Sequence, residues 1–296
     1  MHLIQTILLI PLILANVGIS TTNWWNSSAS YLHARRPVIT VNNNDFRMTE
    51  GGNLDPWLLR IMYENAFICG ASYYSEHFAL TSANCMHAHR SLLKSLRVEF
   101  LTPDIQQDNQ EDLNNPTIAL ISAIIVSRDW HWPDTFMDVA VIKLSNRLRG
   151  NMNNFVKLCS NPLSSNDRLN VVSCGAQLTE NVRTEEVTVV DRMECESNFS
   201  SSILGETVAC AKEFKTTPGC MFSPGCPLTS GDKLCGIVAW GPACEWPGMP
   251  GIFTDIHKVR SFIQKAISGK GITNKKKYKQ ESDNVPEWHS AVWMTR

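Results

Sequence analysis

Ten cysteines lie between Cys69 and Cys244, and none falls in the first 68 or last 52 residues of the 296-residue chain. An even cysteine count confined to one stretch predicts a disulfide-stapled body with two unstapled ends, in a compartment where disulfides persist. The first twenty residues, MHLIQTILLIPLILANVGIS, provide the route to such a compartment. A short polar start, an apolar run from Ile7 to Leu14 and the small residues Gly18 and Ser20 read as a secretory signal peptide over 1–20. A membrane anchor is the competing reading. The run is only about half of the roughly 20 residues a spanning helix needs, and Pro11 interrupts it. The expectation is a secreted, extracellular protein with no membrane span. Asn26-Ser-Ser and Asn198-Phe-Ser are then usable glycosylation sequons.

Lys and Arg number 27 against 28 Asp and Glu, for a net charge of -1. That balance excludes nucleic-acid binding driven by phosphate neutralisation. Residues 21–50 are polar, without helical or strand periodicity, and read as a loose N-terminal extension. From Gly51 short apolar runs recur: Leu58–Met62, Ala79–Thr81, Leu96–Phe100, Ile118–Val126, Val139–Leu144, Leu169–Val172, Val187–Val190, Leu234–Trp240 and Gly251–Phe253. Turn residues bound them, which predicts an all-β sandwich or barrel fold over 51–268. The helical exception is Ile256–Ser268, where Ile256, Val259, Phe262, Ile263 and Ile267 trace one apolar stripe before Gly269. Residues 269–296 carry Lys275-Lys276-Lys277 and read as a basic, flexible C-terminal tail. A solvated surface is the bland account of that cluster, and docking to glycosaminoglycan or a cell surface the sharper one.

Three ordered segments narrow the all-β reading. Cys69-Gly70-Ala71-Ser72 followed by Leu80-Thr81-Ser82-Ala83-Asn84-Cys85 is similar to C-G-[GA]-S and L-T-A-A-H-C of the chymotrypsin-like serine proteases. Asp138-Val139-Ala140-Val141-Ile142-Lys143-Leu144 resembles their D-I-A-L-L-x-L. Gly236-Ile237-Val238-Ala239-Trp240-Gly241, Cys244 and Pro250-Gly251-Ile252-Phe253-Thr254 resemble G-I-V-S-W-G-x-x-C and P-G-V-Y-T. The resemblance implies two perpendicular six-stranded antiparallel barrels with a C-terminal α-helix. It also implies bridges Cys69–Cys85, Cys195–Cys210 and Cys220–Cys244. Cys159, Cys174, Cys226 and Cys235 remain, with Cys174–Cys226 and Cys159–Cys235 preferred by strand neighbourhood in the family and a local Cys159–Cys174 bridge as the alternative.

The same alignment dismantles the chemistry. The base position holds Asn84, a carboxamide without a nitrogen of useful basicity. The family's C-x-G-D-S-G-G-P is matched by Cys220-Met221-Phe222-Ser223-Pro224-Gly225-Cys226-Pro227, so Pro224 replaces the serine nucleophile. Proline removes the hydroxyl and, having no backbone N–H, one oxyanion donor as well. Asp138 stands at the triad carboxylate with nothing to orient, and reads as a buried aspartate held by hydrogen bonds, the Asn84 amide among them. The serine that normally helps hold it is Ala239. The activation motif I-V-G-G is replaced around Arg47-Met48-Thr49-Glu50-Gly51-Gly52, and its aspartate partner by Ser223.

Rescue by Ser223 and His87 would require hydrogen-bond reach that their displaced positions deny. Met86-His87-Ala88-His89 has H-x-H spacing but no evident third ligand, which favours surface histidines over a metal site. Trp130-His131-Trp132 reads as a packing loop beside the cleft. Neither a metal nor a cofactor is expected. A remnant of the substrate groove is marked by Pro218, Phe222, Trp240, Gly241 and Gly251, with Pro218 arguing against a pocket for Lys or Arg. The chain looks like insect secreted serine protease homologues, which implies a non-catalytic cofactor, decoy or regulator in immune or reproductive (seminal-fluid) protease networks. Its partners would be extracellular proteins, active serine proteases or their inhibitors. The rivals are an active endopeptidase with relocated catalytic residues, and a docking module built on the basic tail.

Overall fold

The computed structural model describes residues 56–101, 118–148, 155–172, 174, 184–200, 203–213, 223–241, 249–269 and 292–294. Six strands form a first barrel: β1 (Leu58–Tyr63), β2 (Ala66–Ser75), β3 (Phe78–Thr81), β4 (Leu96–Phe100), β5 (Ile118–Val126) and β6 (Ala140–Leu144). Their order is β5-β4-β1-β2-β3-β6, and a β5–β6 pairing closes the ring. After the two-residue β7 (Lys157–Leu158) come β8 (Arg168–Val172), β9 (Thr184–Val190), β10 (Val208–Glu213), β11 (Pro227–Ser230), β12 (Lys233–Trp240) and β13 (Gly251–Asp255). These run β11-β8-β9-β10-β13-β12 and close through β11–β12. The all-β fold of two six-stranded antiparallel barrels therefore holds. Closure matters because it removes the unpaired edges that an open sheet would expose.

Burial explains why some strands read clearly in the sequence. Leu234–Ala239 in β12 are all buried, so the central strand shows as an unbroken apolar run. The early part of β5 alternates instead, with Ala119 and Ile121 inside and Ile118 and Leu120 outside. One core joins the barrels: Leu59, Leu80, Ile124 and Ile142 from the first pack in the same cluster as Leu228, Ile237 and Phe253 from the second.

Among the described residues three α-helices, α1 (Ala83–Ala88), α2 (Arg192–Asn198) and α3 (Ile256–Ser268), and a 3-10 helix at Arg90–Ser95 complete the fold. α3 spans the expected residues and buries Ile256, Val259, Ile263 and Ala266, while Phe262 and Ile267 are half-buried against the core. The fully buried Asp255 caps it, accepting from the N–H of His257 at 2.9 Å and of Leu163 at 3.0 Å.

The C-terminal tail departs from the flexible reading at its far end. Val292–Met294 forms β14, antiparallel to β5, with Val292 opposite Ile125 and Met294 opposite Ala123. β4 pairs only with Ile118–Leu120, so the later half of β5 keeps an edge that the β-prone Val-Trp-Met segment takes. The signal peptide, the extension 21–50 and the lysine cluster lie outside the described residues.

The bridges are Cys69–Cys85, Cys159–Cys235, Cys174–Cys226 and Cys195–Cys210, closing loops of 16, 76, 52 and 15 residues. The local Cys159–Cys174 alternative is thereby set aside. Cys220 and Cys244 lie outside the described residues.

Candidate functional site: the triad positions

Thr81 ends β3 and Ser82 caps α1, its hydroxyl oxygen accepting from the Cys85 N–H at 3.1 Å. The same hydroxyl lies 3.0 Å from both carboxylate oxygens of Asp138 and donates to them. The backbone N–H of Asn84 adds a 2.7 Å bond to Oδ1 of Asp138. Asp138 is fully buried. Burial pushes its carboxyl up to about 7, against the pull of the Asn84 backbone N–H, the Ser82 hydroxyl, the Asn84 side-chain amide and the Ala83 backbone N–H. Its own backbone carbonyl accepts from Thr254 in β13 at 2.9 Å, which fastens this first-barrel residue to the second barrel.

The Asn84 side-chain amide acts on the Asp138 carboxyl, as expected, and also reaches the loop at 133–134. It donates to the Asp134 carbonyl at 2.8 Å and, more weakly, to the Pro133 carbonyl at 3.5 Å. Its influence on the Asp138 carboxyl is secondary to that of the Asn84 backbone N–H. Ser82 was missed from sequence, although a hydroxyl where the family motif has alanine was the signal. It supplies Asp138 from one side where Ala239, buried in β12, no longer does.

His87 departs from the expected surface position. It is not a surface histidine but only 7% exposed, stacked on Trp132 at 5.3 Å and edge-on to Trp130 at 5.6 Å. Burial, then the charge of Arg90, pushes it down to about 4, so the ring is neutral near pH 7. His89 is half-buried, and burial lowers it too. Among the described residues no group of three His, Cys, Asp or Glu is placed to hold a metal ion. Trp130 is buried while Trp132 is 51% exposed, so the loop both packs and presents an aromatic face.

At the nucleophile position Ser223-Pro224-Gly225-Cys226 makes a tight turn, closed by the Cys226 N–H on the Ser223 carbonyl at 3.1 Å. Proline second and a glycine at φ +85 third are the residues a type II turn selects. Both barrels hold it. The Pro224 carbonyl accepts from Gly70 in β2 at 3.0 Å, and the Gly225 N–H donates to Val238 in β12 at 2.8 Å. Cys226 is bridged to Cys174, whose sulfur lies where a side chain on Gly70 would stand, 2.3 Å from a Cβ there. The turn thus keeps its shape with neither a hydroxyl nor an N–H at residue 224.

Of the groove residues, Trp240 ends β12 half-buried with its ring 5.2 Å from Phe199, Gly241 follows it, and Gly251 opens β13 opposite Ala211. Pro218 and Phe222 lie outside the described residues, as do Arg47 and Asn26.

Two closed barrels, with Asn84 in the first turn of α1, Asp138 just before β6 and residue 224 on a turn pinned between the barrels, are the architecture of the chymotrypsin-like serine proteases. The trypsin family model matches residues 44–263. The chain belongs to the trypsin family. It is 27% identical over 228 residues to seminase of Drosophila melanogaster, covering 75% of this chain and 80% of that protein. Among solved structures it superposes on neuropsin, a serine protease of mouse brain, with a TM-score of 0.59, 21% identity and coverage of 72% and 95%. A scabies mite inactivated protease paralogue gives 0.57 at 23% identity, covering 73% and 95%. No described helix is long and apolar enough to cross a membrane.

Proposed function

We propose that this protein is a secreted, catalytically inactive member of its family that works by binding, as a cofactor, decoy or regulator among extracellular proteases and their inhibitors. The reading rests on Asn84 and Pro224, which motif spacing aligns with the base and the nucleophile of the family. Acyl transfer needs a group that removes a proton and an atom that attacks, and neither side chain supplies one. His87 offers no substitute, since it is packed between two tryptophans. The insect relatives suit an extracellular setting, and the four bridges suit an oxidising one.

The test is chemical. Purified protein, intact or cut near Arg47, is expected to leave peptide substrates unhydrolysed and to escape labelling by an organophosphonate probe. Stoichiometric labelling mapped to any serine would overturn the reading in favour of relocated catalytic residues. Crosslinking in the native fluid then identifies the partner, with a serine protease or protease inhibitor expected in the captured complex.

A further inference from the structure

Asn198 is the last residue of α2 and is exposed, and Ser200 two residues on is exposed as well. The Asn198 Nδ2 donates to the Glu194 carbonyl at 2.9 Å and to the Ser197 hydroxyl at 3.2 Å. Between them Phe199 turns the chain out of the helix into extended backbone, φ -132 and ψ 147, and buries its ring edge-on to Trp240. The sequon is therefore rooted one residue from the wall of the groove. Arg192, at the other end of α2, donates to the carbonyls of Leu204 at 2.6 Å and Gly205 at 3.2 Å. That pins the helix to a loop whose Ile203 is 37% exposed, and α2 itself exposes Met193 at 81%.

We propose that Asn198 carries an N-linked glycan that screens the Phe199–Trp240 wall of the groove, so that a partner reaches Trp240 from the opposite side. In the transfer, the bond between the first sugar's C1 and the pyrophosphate oxygen of a lipid-linked oligosaccharide breaks. A new bond forms from C1 to Nδ2. The amide gives up one of its two protons, and the lipid pyrophosphate leaves with the charge this balances. One hydrogen stays on the nitrogen, so one of the two bonds, to the Glu194 carbonyl or the Ser197 hydroxyl, remains available after modification. Sugars rooted on α2 also stand over the apolar surface of Met193 and Ile203.

The experiment uses the full chain secreted from eukaryotic cells. The peptide spanning residue 198 is expected to carry a glycan that peptide N-glycosidase removes. Asn198→Gln and Ser200→Ala are each expected to lower the intact mass by one glycan, while Ser200→Thr restores it. An unmodified residue 198 in secreted wild-type protein would overturn the assignment, and this arm needs no variant to fold. For the screening, hydroxyl-radical labelling of Trp240 and Ile203 is expected to rise once the glycan is removed. Labelling that stays the same would refute the screening. Occupancy is read without any partner, so its failure leaves the binding proposal standing, and the reverse also holds.

Discussion

At the scale of single residues, Ser82 does two jobs with one oxygen, capping α1 and donating to a buried carboxylate. Losing a cap costs about 1 kcal/mol, and losing a hydrogen bond to a charged group about 1.5–3 kcal/mol. Ser82→Ala is therefore expected to lower stability by roughly 2–3 kcal/mol in urea denaturation above pH 7, where Asp138 is charged. Adding Ala239→Ser should recover part of the loss, because it returns a hydroxyl at the position that serves the family's aspartate. No recovery in the double variant would show that Ala239 lies out of reach.

Asp138 also sets a pH dependence. Its unfolded-state value is 3.8 and its folded value about 7, so between them the folded protein keeps a proton that the unfolded chain releases. Stability due to Asp138 is thus full below about 4, falls as pH rises toward about 7, and levels off above. Glu213, raised to about 7 by burial and then by Glu185, acts in the same direction. His87, lowered to about 4, acts in the opposite one between there and 6.5. Asp138→Asn is expected to flatten the decline in urea midpoint between pH 4 and 7, whatever it does to the midpoint itself. Parallel curves for variant and wild type would refute the assignment.

Among the elements, the Ser223–Cys226 turn offers the sharpest contrast. Gly225 and Gly231 both have positive φ, but a Cβ on Gly225 would stand 2.2 Å from the Gly70 carbonyl oxygen, whereas one on Gly231 meets nothing within 4 Å. Gly231→Ala is expected to cost about 1–2 kcal/mol from backbone strain alone. Gly225→Ala must displace a β2 carbonyl as well, and should prevent accumulation of folded protein. Comparable thermal stability for the two variants would mean that the barrels give way at this seam. The turn also shows what sequence alone conveyed and what it did not. Pro224 was read only as a loss, while Pro-Gly in the middle of a four-residue stretch is itself a turn signal. The apolar strands were legible because burial on one or both faces writes a period into the chain. α1 and α2, six and seven residues long, complete two turns at most and leave little periodicity, so neither was read from the sequence. β10 and β11 were missed because Val-Ala-Cys-Ala-Lys-Glu and Pro-Leu-Thr-Ser carry few large apolar residues. The family was legible because motif spacing survives along the whole matched stretch, residues 44–263.

For the molecule as a whole, β14 changes how the tail must be tested. Deleting residues 270–296 would strip the lysines and also bare the edge of β5, an invitation to pairing between chains. Lys275, Lys276 and Lys277 changed together to Gln leave β14 in place. Partner capture is expected to survive that triple change and to be lost in Gly241→Arg, as measured by pull-down of correctly folded protein. The opposite pattern would move the binding surface from groove to tail. Timing is the remaining consequence, and it follows from the bridge Cys174–Cys226. A zymogen has a clock, since a cut decides when its site takes shape. In this chain the turn at Pro224 is tied to both barrels by its bridge and its backbone bonds. On the proposed non-catalytic function no cut is needed to free a nucleophile there, and supply and clearance would then set how much of the binding surface is present at any moment.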